Sequence, residues 1–342
     1  MAVVSEFLSL QVDGFELRGF QSIEISRAAD EAAIGFRFGA TNPAWSAEAS
    51  RLRNCKLVEI YTGGDLVCAG YVDRYDAYVS GRNRQVTISG RSKPADAIDC
   101  EPANHETGQV ENKDLAEAAK EFDEWGLDFR AEAALPKIPL IQRNPGEPLI
   151  VTLEREARRQ GLLLTGEPDG SITICKGPKG RHAGALVEGR SPLVSYRISD
   201  AMNLAYSEVK VRGQKADGVE EEDMRQEETA SNGDYGRHRP KVIFNEGSNE
   251  TAELRSRAEW ELKRRNGARL TIGARVAGWR DAGGELWTPR REIAVMLESE
   301  EIDVDLAIRS VTFTQQEGEG EGAGTFAELE LVYPETLGEA QG

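Results

Sequence analysis

Three histidines, His105, His182 and His238, are the only imidazoles in this 342-residue chain, and each stands alone in a polar stretch. Without HxH or HxxxH spacing they give no metal site that can be read from sequence. Ser207-Glu208-Val209-Lys210 has the SxxK spacing of a serine nucleophile and its lysine base. It lies in a strand-like alternation, however, and no companion motif accompanies it. Asp303-Val304-Asp305 lacks the glycine and glutamate of a calcium loop. Neither GxSxG nor GxxxxGK[ST] occurs, and the glycines of 318–324 do not follow a strand-to-helix turn as a dinucleotide cradle requires. Cys55, Cys68, Cys100 and Cys175 form no CxxC pair and read as reduced, partly buried thiols. A carboxylate pair for glycan hydrolysis could still be hidden among the Glu-rich loops, so a cell-wall hydrolase stays open as an alternative. On motifs alone no catalytic, cofactor-binding or metal-binding residue is assigned, and no cofactor is expected.

Composition narrows the classes further. The chain is 39% hydrophobic and 30% charged, as in a soluble globular protein, and its length suggests two or three domains. No apolar run approaches the roughly 20 residues of a membrane helix. The opening MAVVSEFLSLQVDG alternates like a strand and lacks the basic start of a signal peptide. A net charge of −17 argues against sequence-independent nucleic-acid binding, which needs basic patches. Such charge suits a wall that repels DNA and lets it slide, or simply solubility.

The elements are mostly strands. Leu8, Leu10 and Val12 alternate before Asp13-Gly14 and Phe15-Leu17, which predicts a two-residue hairpin. Further alternation marks Ile23–Ile25, Ile34–Phe38, Val58–Ile60, Leu66–Val72 and Val86–Ile88. Short strands with turns every 8–12 residues predict a sandwich or barrel. Ser92 reads as the cap of a short helical turn ending near Ile98. Helices are expected at about 112–125 and 149–160, followed by a strand at Leu162–Thr165, a turn at Asp169-Gly170 and a return strand through Ile172 and Ile174. Strand periodicity resumes from 186. A third helix is expected at 251–266, with Leu254, Ala258 and Leu262 as its apolar stripe and Asn266-Gly267 as its stop. Leu270–Val276 and Ile293–Leu297 read as strands answering each other across Gly283-Gly284. Strands over Ile302–Phe313 and Ala327–Tyr333 flank the flexible GEGEGAG loop.

The expected fold is therefore mainly β with an α+β insert. Residues 1–100 form a first β-rich domain, a sandwich or barrel, and 101–182 a small α/β domain. Residues 183–342 form a second β-rich domain carrying the acidic loop 217–234 and the helix 251–266. The reading also names candidates for an interface or a lumen, with the core as the other reading for Trp279 and Trp287. The candidates are Trp260, which lies off the helix stripe, Trp279 and Trp287 near turns, and Glu220, Glu221, Glu222 and Asp223 in the acidic loop.

Several local patterns together resemble one family. They are Gly90-Arg91-Ser92 with Asp96-Ala97-Ile98-Asp99-Cys100, Pro145-Gly146-Glu147-Pro148 before Leu162-Leu163-Leu164, and Arg257-Ala258-Glu259-Trp260-Glu261. The most specific is Gly278-Trp279-Arg280 with Leu286-Trp287-Thr288-Pro289. The chain resembles, over roughly residues 5–335, the baseplate hub (tail) proteins of Mu-like contractile-tailed phages, relatives of other myovirus hubs and of contractile injection systems. The resemblance implies two tube-type β-barrels and a smaller α/β domain per protomer, assembled as a homotrimeric ring. Three copies then present six barrels, matching a threefold central spike below to a sixfold tail tube above. Barrels paired edge to edge would build a continuous wall around a DNA ejection channel. Implied partners are the tail tube protein, the central spike protein, other baseplate proteins, and phage DNA passing without sequence-specific binding; no membrane insertion is implied. The implied location is the tail baseplate of the virion, after assembly in the host bacterial cytoplasm. No β-helical repeat follows the last strand, so a separate spike is expected. The hub adaptor of a non-phage injection system is a further alternative.

Overall fold

The computed structural model describes residues 6–12, 14–40, 52, 56–81, 83–213, 226–233, 235–245, 251–318 and 323–338. The first region holds β1 (Leu8–Val12), β2 (Phe15–Leu17), β3 (Ser22–Ala28), β4 (Gly35–Ala40), β5 (Leu57–Thr62), β6 (Asp65–Ser80) and β7 (Asn83–Ser92). Period-two alternation buries one side of each: Leu8, Leu10 and Val12 point inward on β1, and Ile23 and Ile25 on β3. Val12 opposes Phe15, so the hairpin predicted at Asp13-Gly14 is present.

Next come α1 (Ala95–Asp99), β8 (Gln109–Lys113), α2 (Leu115–Phe122), β9 (Phe129–Ala131), β10 (Ile138–Gln142), α3 (Leu149–Arg159), β11 (Leu163–Gly166) and β12 (Ile172–Cys175). They enclose a separate core of Leu115, Phe122, Phe129, Leu149, Leu153 and Ile174, among others. A capping box closes the start of α2: Asp114 accepts from Glu117 N–H, and Glu117 accepts from Asp114 N–H. Ser92 does not cap α1. Its hydroxyl accepts instead from the Ile34 N–H, fastening the end of β7 to the residue before β4.

The last region contains β13 (Arg181–Val187), β14 (Leu193–Asp200), β15 (Glu208–Gly213), β16 (Gln226–Ser231), β17 (Pro240–Phe244), α4 (Thr251–Gly267), β18 (Leu270–Ala277), β19 (Glu292–Leu297), β20 (Ile302–Gln316) and β21 (Gly324–Val332). Strands β15, β16 and β17 form a small sheet of their own, capped by Leu254, Ala258 and Leu262 of α4. The expected apolar stripe of α4 is thus used, but against this sheet. The loop expected over 217–234 ends early, because Gln226–Ser231 pair with β15. Helix α4 also runs through Gly267, since Asn266 turns its side-chain oxygen to the Tyr206 N–H.

Among the described residues, 13 strands form one sheet, running β14-β18-β21-β20-β3-β4-β7-β6-β5-β1-β2, with β19 and β13 branching from β20. Both β-rich regions share one apolar core. Long strands turn the barrel corners. β6 passes from β5 to β7, and β20 from β19 to β21, each with a register shift against the second partner. The barrels join where β20 pairs with β3, from Ser310 opposite Ala28 to Gln316 opposite Ser22. β18 and β19 do not form the hairpin expected across Gly283-Gly284; β18 pairs with β14 and β21, and β19 with β13 and β20. The 14-residue-scale excursion between them is too long for a hairpin turn and is used elsewhere. No helix among the described residues is long and apolar enough to cross a membrane.

Candidate functional site at the domain junction

The segment 278–291, which links β18 to β19, is where the domains meet. It leaves the barrel with Trp279 and returns with Trp287, and both are buried. The Trp279 indole N–H donates to the Thr314 carbonyl at 3.2 Å, and its ring lies 5.2 Å from that of Phe313. The Trp287 N–H donates to the Trp279 carbonyl at 2.9 Å. The sequence left core and interface both open for these two residues. Their burial places them in the core, which gains more from covering a large aromatic than a turn gains from exposing it.

Asp281 shapes the turn between them. One carboxylate oxygen accepts from the Gly283 and Glu285 N–H groups at 2.8 and 3.0 Å. The other accepts from the Ala183 N–H at 2.9 Å and lies 2.8 Å from Nδ1 of buried His182. His182 Nε2 accepts from the Thr288 N–H at 3.0 Å, so the proton sits on Nδ1 and the ring is a neutral donor to Asp281. Burial alone would raise the Asp281 carboxyl. The hydrogen bonds from Ala183, His182, Glu285 and Gly283 outweigh it and hold the group below the usual carboxylate range. Gly284 takes φ of 84°, the left-handed conformation the turn requires.

His182, Asp281 and Glu285 also place one potential ligand atom each within 4.8 Å of one another. Both His182 nitrogens and both Asp281 oxygens are already engaged in this knot, and Glu285 pairs with Arg291. A metal would have to displace those bonds, so the donor set fits a structural knot better than an ion.

Two arginines carry the segment outward. Arg280 reaches the first barrel, with Nε 2.9 Å from Glu6, Nη1 2.7 Å from Asp65, and Nη2 donating to the Thr62 carbonyl at 3.2 Å. Arg290 reaches the α/β domain: its Nη1 and Nη2 grip Glu132 at 3.0 and 2.6 Å, and its Nε donates to the Gly177 carbonyl. Arg290 is buried and takes φ of 71°, an uncommon backbone for a branched-free cation and a sign that its placement is enforced. Burial would raise Glu132, but Arg290 first and Lys179 second hold it below its ordinary value. One 14-residue-scale loop thus fastens the second barrel to both other domains.

Further joints surround this clasp. Thr165 donates to the Ala29 carbonyl at 2.5 Å, and Gly166 N–H donates to the Glu31 carbonyl at 2.9 Å. Arg309 bridges Asp30 and Glu330. Trp260 leans on the backbone of Gly161 at the end of α3, while Arg257 donates to the Arg158 carbonyl at 2.7 Å. Trp260 is therefore a half-buried domain contact within the chain. Glu220, Glu221, Glu222 and Asp223 lie outside the described residues. Of the possible catalytic groups, the Ser207 hydroxyl accepts from the Arg239 N–H, while Lys210 pairs with Glu227, so the SxxK spacing is not assembled. His105 accepts from the Gly108 N–H and packs on Phe122 in the α/β domain, apart from His182. Cys68 and Cys175 are buried and unbridged, and burial pushes their thiols up to about 12 and about 11.

Sequence reading missed Arg280, Asp281, Arg290, Glu132 and His182 as a unit. Only Asp281 beside Gly283-Gly284 left a local signal, that of an aspartate-anchored turn.

Three family models match along the chain. The N-terminal model of the Mu phage baseplate assembly protein GpP-like matches residues 7–92, the second domain of baseplate hub protein gp44-like residues 94–176, and the fourth domain of GpP residues 250–339. Baseplate hub protein gp44 of Escherichia phage Mu is 27% identical over 307 residues, covering 85% of this chain and 79% of that protein. The 43 kDa tail protein of prophage MuSo2 from Shewanella oneidensis has the same fold, with TM-score 0.83 and 24% identity over 98% of this chain and 100% of that one. So does the tail protein from Neisseria meningitidis MC58, at TM-score 0.81 and 21% identity, with 98% and 100% covered. With matches in succession from the first barrel to the last strand, this chain belongs to the baseplate hub proteins of Mu-like contractile-tailed phages and is a structural component of the phage baseplate.

Proposed function

We propose that three copies of the chain close into a ring that joins the sixfold tail tube above to the threefold central spike below, around the channel through which DNA leaves the virion. The observation that carries this reading is the seam between β20 and β3, which lays two barrels side by side in one sheet within a single chain. A protomer with two barrels is what converts threefold into sixfold symmetry. The solvent side of the seam is hydroxyl-rich. Ser22, Ser26, Thr312 and Thr314 alternate there with core residues, among the balanced charges of Glu24 and Arg37. A polar seam, on a chain of net charge −17, suits the passage of a polyanion that must not adhere. Glu220, Glu221, Glu222 and Asp223 belong to this reading as groups that would face the lumen or a neighbour.

In this role the chain works mechanically. The ion-paired clasp would hold three domains as one body while the tail contracts, and no residue is asked to react. The tube and spike proteins, and other baseplate proteins, are the partners; assembly takes place in the host cytoplasm and the finished site is the virion. The test is the solution mass by light scattering, followed by negative-stain images. A three-copy mass and a ring with a hole wide enough for a DNA duplex are expected. A persistent monomer at high concentration, or a closed dimer without a channel, would overturn the proposal.

A further inference from the structure

Four strands in each half of the large sheet correspond in order, β14, β18, β21 and β20 to β3, β4, β7 and β6. In the first half the register shift of β6 against β7 falls between Val72 and Arg74; in the second, that of β20 against β21 falls between Ile308 and Ser310. Aligning the shifts puts Val72 in the place of Ile308 and Arg74 in the place of Ser310. The neighbours then correspond in turn. Gly90, opposite Val72, matches Leu331, opposite Ile308. Phe36 on β4 matches Ile272 on β18, and Ile25 on β3 matches Ile198 on β14.

Along these eight strands the halves differ at one edge; beyond them, β1 pairs antiparallel with β5 whereas β13 pairs parallel with β19. The outer edge of β20 is occupied by β3, with Phe313 opposite Ile25. Among the described residues, the equivalent edge of β6, its second half Asp73–Ser80, pairs on one side only, with β7, and β14, the equivalent of β3, pairs only with β18. Burial follows the same division. Val311, Phe313 and Ile25 at the seam are buried, whereas their equivalents Tyr75, Ala77 and Ile198 are half-buried or exposed. Tyr78 and Val79 on the β6 edge are 67% and 62% exposed, and Val194 at the start of β14 is 55% exposed. Two long, open strand edges of matching geometry are a liability unless another chain covers them.

We propose that β14 of one copy pairs antiparallel with Asp73–Ser80 of the next, repeating the β20–β3 seam between chains with Ile198 opposite Ala77. The partner is a second copy of this chain, and the inference rests on the ring reading above. The register is fixed by the equivalence: Arg197 lies opposite Tyr78, Tyr196 opposite Val79, and Ser199 opposite Asp76. Arg197 and Tyr78 are both on the solvent side, so the guanidinium would lie along the phenol ring. A like contact exists inside the chain, where Arg275 sits 4.0 Å over the ring of Phe326 on the neighbouring strand. Because the two edges are different surfaces, the contact is head-to-tail, and in the three-copy ring above it closes on itself. Each copy contributes β14, β18, β21, β20, β3, β4, β7 and the second half of β6 to its wall.

Cysteine pairs in the full chain test this, in a background with Cys55→Ser and Cys100→Ser. Opposed residues of an antiparallel pair lie about 4.5–5.5 Å apart at Cα, within disulfide reach. Arg197→Cys with Tyr78→Cys should give covalent trimers on non-reducing gels after mild oxidation. Arg197→Cys with Arg74→Cys, on the same face but about 13 Å out of register, should give none. Light scattering of the same samples separates the two levels. A trimer by mass in which the Arg197/Tyr78 pair fails to cross-link, or cross-links no better than the control, overturns the edge pairing and leaves the ring standing. A monomer by mass without cross-links overturns both.

Discussion

Breaking the grip of Arg290 on Glu132 should uncouple the α/β domain from the second barrel. The two side chains are 7% and 12% exposed, and the guanidinium makes two bonds to the carboxylate, at 3.0 and 2.6 Å. Removing one member of such a buried pair costs about 3–5 kcal/mol, because the other is left buried and uncompensated. In Arg290→Met the Glu132 carboxylate keeps Lys179 at 3.2 Å, but that lysine is 68% exposed and recovers at most about 1 kcal/mol. The expected loss is therefore about 2–4 kcal/mol. Glu132→Gln should cost a similar amount, and the double variant should regain much of it, giving a coupling of at least about 2 kcal/mol. The positive φ at 290 is common to both sides of the comparison and cancels. The assay is urea denaturation followed by tryptophan fluorescence across a pH series. Glu132 is held below its ordinary value, so the pair's contribution is complete above the unfolded carboxylate range and lost as pH falls through the folded value. The gap between parent and Arg290→Met should accordingly narrow in acid. A coupling under about 0.5 kcal/mol, or a gap that does not change with pH, would refute the clasp argument.

Asp281→Ala should destabilise the second barrel by about 1–3 kcal/mol, since it leaves buried His182 Nδ1 without its acceptor and frees the part-buried Ala183, Gly283 and Glu285 N–H groups. Thermal unfolding would measure this, and the parent's advantage should fade in acid, because a depressed carboxyl loses its contribution as pH drops through its folded value. Gly166→Ala should cost about 1–3 kcal/mol, because a Cβ there would drive into the Ala32 carbonyl where the β11–β12 hairpin docks on the first barrel. Gly236→Ala, with open space around it, should be near neutral in the same melting assay.

Much of this protein was legible in its residues. Alternation at Leu8–Val12, Ile23–Ile25 and Leu270–Val276 marked strands and the side each turns to the core, because a pleated strand shows its faces at period two. Leu254, Ala258 and Leu262 likewise marked the buried stripe of α4. Alternation does not say which strand lies alongside. That is why β18 and β19 looked like a hairpin and why the β20–β3 seam was invisible. It also does not report burial at turns, so core and interface both stayed open for Trp279 and Trp287 until the fold closed over them. The clasp was the least legible feature. Arg280 and Glu6 are 274 positions apart, and Arg290 and Glu132 are 158 apart. An exposed arginine and a buried, paired one look alike in a sequence. Only the tertiary fold, by removing water from around both charges at once, decides which ion pairs hold domains together.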